Sequence, residues 1–222
     1  MNFPTGLFPQ SWIIGAFALL ALILLWCLRT APWRRLADSG QMNIWLGGIV
    51  VLMLFWSMRA GVKPGLDLHL LGATTFTLMF GRQLAILGFS LVMAAVTLNG
   101  AAGWEAYALN VLLCAVFPCF VADVLLRIVE RYLPPNFFCY IFGAAFFGAA
   151  IAMVSTGLLA SIVLWLAGVY SADMLFDNYL PYFALLGFAE AWMNGVLITL
   201  MVIYYPRWVG SFDDRRYLYK KR

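Results

Sequence analysis

The chain is a succession of apolar runs broken only by short polar segments, and the thickness of a bilayer limits what such a pattern can fold into. A hydrocarbon core of about 30 Å is crossed by about 20 apolar helical residues, fewer where the flanks reach the interface or the helix lies inside a bundle. Seven stretches meet this requirement: Trp12 to Leu28, Met42 to Met58, Leu68 to Phe80, Gln83 to Leu98, Ala106 to Arg127, Phe137 to Ala167 and Leu180 to Tyr205. Composition agrees, since 64% of the 222 residues are hydrophobic and 11% charged, with a mean hydropathy of +0.90. These values exclude a water-soluble globule. The expected fold class is an all-α, polytopic membrane bundle of about seven transmembrane helices, one integral membrane domain over residues 1–222, with no internal boundary, low-complexity stretch or clear inverted repeat.

Several runs carry local signals. The third and fourth are short and separated by Gly81-Arg82, which leaves two arrangements open, two short spans or a tight hairpin that does not fully cross. Pro118 should kink the fifth. The sixth, roughly 46 Å long at 1.5 Å per residue, should tilt, kink near Gly157 or protrude. Its small residues at four-residue spacing, Ala144/Gly148/Ala152 and Ala145/Ala149, suit close helix packing, within the chain or against a partner subunit.

Orientation follows from the basic residues. With the N-terminus outside, twelve of the fourteen Lys and Arg residues fall on the inner side, and only Arg59 and Lys63 fall outside. That asymmetry predicts a cytoplasmic C-terminus and an odd number of crossings. The first run lacks a basic flank and a small-x-small cleavage site, so Met1 is expected to stay in the mature chain.

Several chemistries are missing. The lysines are Lys63, before Pro64, and Lys220-Lys221, so a phosphate-cradling Gly-Lys-Ser/Thr loop is absent and no nucleotide is expected to bind this chain. Neither G-x-S-x-G nor HExxH occurs, and one histidine cannot build a His-rich metal cage, so the chain does not read as an enzyme. Cys27, Cys114, Cys119 and Cys139 form no CxxC pair and read as small core hydrophobes. The net charge of +4 reflects the inner loops rather than a nucleic-acid surface.

Ionisable groups within apolar runs are costly and face the bundle interior. Three stand out. His69 opens the third run, as an interfacial histidine bonded to backbone or as a ligand. Glu190 lies near mid-membrane in the seventh, with Asn194 one turn on along the same face; a packed hydrogen-bonded carboxyl and a functional one are both open. Asp123 is four residues from Arg127, a spacing that predicts an ion pair.

Two segments carry a resemblance. Met1-Asn2-Phe3-Pro4-Thr5-Gly6 resembles the M-H-I-P-E/D-G opening of the cobalt and nickel permease subunits of energy-coupling-factor transporters, the CbiM and NikM type. Pro64-Gly65-Leu66-Asp67-Leu68-His69-Leu70-Leu71-Gly72, with the following Leu78-Met79-Phe80-Gly81, is similar to that family's P-G-x-x-x-H-L-L-G segment and its L-x-x-G. Leu133 to Phe138 and Gly187 to Ala191 fit more loosely. The resemblance implies that the N-terminus folds into the bundle and that a divalent transition metal, cobalt or nickel, is held by the terminal amine of Met1, the second residue and the later histidine, His69. Nitrogen donors in a plane suit Ni(II), Co(II) and Cu(II). Here Asn2 replaces the family's histidine, a carboxamide in place of an imidazole, and Thr5 stands where the family has an acid.

The resemblance further implies a transmembrane coupling subunit and cytoplasmic ATPase subunits as partners, in a bacterial-type inner membrane. Two other readings stay open: a non-transporting membrane protein on the same scaffold, and a permease for an organic solute held by the aromatic side chains, 17% of the residues.

Overall fold

The computed structural model describes residues 2–61 and 63–218. Ten α-helices are named here in chain order: α1 (Gln10–Thr30), α2 (Trp33–Leu36), α3 (Ser39–Ser57), α4 (Ala73–Phe80), α5 (Arg82–Leu98), α6 (Tyr107–Tyr132), α7 (Cys139–Leu166), α8 (Ala172–Asn178), α9 (Leu180–Tyr204) and α10 (Asp214–Tyr217). A two-residue antiparallel ladder pairs Ala60 with Leu68 and Gly61 with Asp67. Among the described residues, five helices, α1, α3, α6, α7 and α9, are long and apolar enough to cross a membrane. Helix α5 is shorter, at 17 residues.

The third apolar run departs most from a regular span. Asp67 and Leu68 form the second ladder strand, the chain stays extended to Leu71, and α4 has only eight residues, about 12 Å of helix. A tight turn forms at Gly81, whose φ of 81° reverses the chain between α4 and α5. Every residue of α4 is buried, so the short helix is enclosed by protein. Non-helical backbone at membrane depth is tolerated only in such an enclosure.

The two ends of the bundle are chemically distinct. At one end the Arg35 guanidinium donates to the carbonyls of Arg207 and Trp208 at 3.3 and 3.0 Å and lies 5.5 Å from the Phe80 ring centre. Gly210 and Ser211 donate to Met79 and Leu78 at the end of α4, at 3.0 and 3.1 Å. Asp123 pairs there with Arg127 at 2.9 Å, as the spacing predicts, and also with Arg82 at 3.0 Å. At the other end Tyr170 donates to the Pro64 carbonyl at 2.8 Å, and Arg59 to Asp67 at 2.8 Å and the Ala101 carbonyl at 2.6 Å.

Large apolar side chains such as Leu22, Leu54 and Leu185 are exposed around the outside of the helices, as a lipid-facing surface requires. Inside, small residues set the helix spacing. Ala144, Ala145, Ala149 and Ala152 are buried, which makes their stripe an internal packing surface. Gly187 lets α9 approach α7, since a Cβ there would lie 3.4 Å from the Ala150 carbonyl oxygen.

Two expectations about bending resolve differently. The chain widens into a π-helical turn over Leu112–Val116, just before Pro118. Proline has no N–H for the carbonyl four residues back, and the wider turn absorbs that mismatch. The long sixth run is wide-turned over Cys139–Phe147, while Gly157 serves packing. A Cβ at Gly157 would fall 2.2 Å from Cγ of Phe183 on α9.

Gly157→Leu should therefore force α7 and α9 apart and destabilise the protein by about 1–3 kcal/mol. Thermal unfolding in detergent checks this. Combining it with Phe183→Ala should recover part of the loss, because the two side chains compete for one volume.

Candidate metal site

The site begins with a backbone problem. Leu70 to Gly72 lie beside the midpoint of α9, where no water is at hand to satisfy peptide groups, and an unpaired one there costs several kcal/mol. Side chains from two helices, α9 and α3, satisfy them. The Glu190 carboxylate accepts from the amides of Leu71, at 2.9 Å, and Gly72. Asn194, one turn along α9, accepts through Oδ1 from the amide and the hydroxyl of Thr75, at 2.8 and 2.6 Å. Its Nδ2 donates to Glu190 Oε1 at 3.1 Å. The Leu71 carbonyl takes the indole N–H of Trp56, on α3, at 3.2 Å. A carboxylate at the first amides of α4 also sits at the positive end of its dipole. Glu190 and Asn194 thus cap a half-helix, the hydrogen-bonded arrangement of the two readings the sequence left open.

His69 is the residue that this scaffolding places. It is 4% exposed, its ring lies 4.9 Å from that of Trp56, and Nδ1 is 3.1 Å from the Leu70 carbonyl. A carbonyl can only accept, so Nδ1 carries the proton and Nε2 presents its lone pair. Nε2 is buried with no hydrogen-bond partner in the protein. A metal-ligating imidazole has this arrangement, one nitrogen fixed by a backbone carbonyl and the other free. Asp67, two residues before, pairs with Arg59.

The amino-terminal segment folds into the same end of the bundle. Phe3 is fully buried, and Asn110 on α6 clamps its backbone from both sides, accepting from its amide at 2.8 Å and donating to its carbonyl at 3.2 Å. Gly103 donates to the same carbonyl at 3.0 Å, and Gly6 to Glu105 at 2.8 Å. The segment leans on the turn that leads to His69. A Cβ on Gly65 would meet Leu7 at 2.8 Å and Phe3 at 3.2 Å. Asn2 is 2% exposed, and neither its Nδ2 nor its Oδ1 has a partner in the protein. Met1, the first of the three residues singled out as metal ligands, lies outside the described residues.

Among the described residues no three His, Cys, Asp or Glu side chains converge to hold a metal. Any metal site here must draw on other donors, such as backbone or carboxamide groups. The sequence reading missed Asn110 and Trp56, although a single asparagine inside the apolar run Ala106 to Arg127 was a visible signal under the rule that made Glu190 conspicuous.

Taken together, these features define a multi-pass helical membrane protein that buries its amino-terminal segment beside an imidazole with a free nitrogen. Residues 2–208 match the family described as the cobalt uptake substrate-specific transmembrane region. The chain belongs to that family and is a metal-importing, substrate-binding component of the energy-coupling-factor type, a transporter subunit rather than an enzyme. Two solved structures share the fold. One, described as a transition metal transporter, is 17% identical with a TM-score of 0.76, covering 90% of this chain and 92% of its own. The other, a truncated transition metal transporter, is 17% identical with a TM-score of 0.79, covering 92% and 99%. No curated protein matches the sequence.

Glu190→Gln should show how far the site depends on the cap, because an amide can accept from one of the two backbone N–H groups but turns a donor toward the other. The expected cost is about 1–3 kcal/mol, read as a lower melting temperature in detergent together with weaker metal binding by calorimetry.

Proposed function

We propose that this subunit captures a divalent cation of the cobalt or nickel class at the end of the bundle where the amino-terminal segment meets the turn before α4. The ligands in this reading are the Met1 amine, Asn2 and Nε2 of His69. The observation that carries it is the presence, at this one end, of two buried residues, Asn2 and His69, whose carboxamide atoms and Nε2, respectively, have no partner in the protein. Buried polar groups are otherwise almost always paired, so these two are explained by a ligand that arrives.

The rest of the reading follows from charge. Placing the basic end in the cytoplasm puts the metal end outside, with seven crossings, the third made of extended chain followed by α4. The membrane is then a bacterial-type inner membrane, and the metal enters from the far side. Release inward is driven by partners, a transmembrane coupling subunit and cytoplasmic ATPases, since the sequence carries no phosphate-binding loop. The carboxamide of Asn2 is a poorer transition-metal ligand than an imidazole, so this site binds more weakly than one with two imidazoles.

His69→Ala should abolish metal accumulation in cells stripped of other uptake routes while leaving expression intact, and full uptake by this variant would remove the metal reading. Asn2→His should raise Co(II) or Ni(II) affinity by about one to three orders of magnitude, measured by calorimetry on purified protein. Orientation is checked separately. A C-terminal reporter that fluoresces only in the cytoplasm should light up, and a dark fusion with an active periplasmic reporter at the same point would reverse the assignment.

A further inference from the structure

A third side chain at the metal end has the same signature as Asn2 and His69. Tyr179 is wholly buried, and its hydroxyl has no hydrogen-bond partner in the protein. It stands at the junction where α8 ends and α9 begins, and its ring meets Phe183 edge-on at 4.9 Å. Packing alone would be served equally well by phenylalanine, because the hydroxyl adds a polar atom that burial strips of water. The hydroxyl is close enough to Asp67 for the carboxylate charge to act on it. Asp67 is two residues before His69 in extended chain, and side chains two apart in such chain lie on the same face. The α7–α8 connection is tied to the same turn by the bond from Tyr170 to Pro64.

We propose that the Tyr179 hydroxyl is part of the metal site, hydrogen-bonding to a water that completes the coordination sphere of the captured cation. The inference rests on the metal reading above. With a carboxamide where the family has an imidazole, fewer protein nitrogens reach the ion, and a divalent first-row cation then keeps water ligands that need acceptors and donors of their own. A neutral hydroxyl, able to donate and accept, meets that need without adding charge.

Co(II) is the probe, because its visible absorption reports coordination directly. Tyr179→Phe keeps the ring and its contact with Phe183 and removes only the oxygen. The expected result is about tenfold weaker Co(II) binding by calorimetry, a changed absorption spectrum of the bound ion, and a melting temperature of the metal-free protein that is unchanged or higher. Parental affinity with a parental spectrum overturns the inference. So does a lower melting temperature without metal and an unshifted spectrum, which would mark the hydroxyl as structural. His69→Ala, titrated in parallel, separates the two levels. If it binds Co(II) like the parent, the metal site itself is misassigned; if it loses binding while Tyr179→Phe does not, only the role of Tyr179 fails.

Discussion

The structure depends on how peptide groups are satisfied where the chain is not helical inside the membrane. Between Asp67 and Ala73 the backbone runs through the bundle without helical hydrogen bonds of its own, and hydrocarbon offers none. Glu190 and Asn194 from α9 and Trp56 from α3 close that gap. The consequence is mechanical as well as energetic. Two helices from different parts of the chain are tied to one short segment, so the positions of His69 and of the start of α4 are set by the packing of the bundle. A regular helix over the same residues would have needed none of these side chains, and would have fixed His69 only by its place in a helical turn.

The amino-terminal segment is the second half of the same design. Its described residues, 2–9, form no helix or strand, and a free chain end would lose much conformational entropy on docking. Asn110, Gly103 and Glu105 offset that cost with directed hydrogen bonds to Phe3 and Gly6, and the buried rings of Phe3 and Phe8, 4.9 Å apart, add apolar burial. Two segments without helical backbone, residues 2–9 and 63–72, are thereby pressed together at one end of an otherwise helical protein. Irregular backbone can offer amides and carbonyls to a ligand, which a helix keeps for itself.

At the opposite end, the arginines serve structure. Asp123 gathers Arg82 and Arg127, the Arg82 guanidinium lies about 5 Å from the rings of Trp26 and Phe120, and Arg35 ties α2 to the segment after α9. Partly buried charge pairs of this kind contribute modestly to stability, but removing one partner leaves the other exposed to a poor dielectric. The result is a firm basic end that holds the far terminus of α4 through Leu78 and Met79.

By itself the sequence determined that this chain is a multi-pass membrane protein and which end is basic, because those properties depend on run length and on the side chains in short loops. It also exposed His69 and Glu190, since an ionisable residue in an apolar run is conspicuous without any structure, and the opening and P-G-x-x-x-H-L-L-G segments pointed to the family. Only the tertiary structure decided what these residues do. Glu190 is a cap because its partners are amides 118 and 119 residues away, and His69 has one fixed and one free nitrogen because of where Leu70 and Trp56 lie. Gly157 is a packing glycine because Phe183 fills the space beside it. Asn110 and Tyr179 look like ordinary polar and aromatic residues until the fold shows one bonded on both sides and the other on neither. Such roles rest on contacts between residues far apart in sequence, which no local pattern encodes.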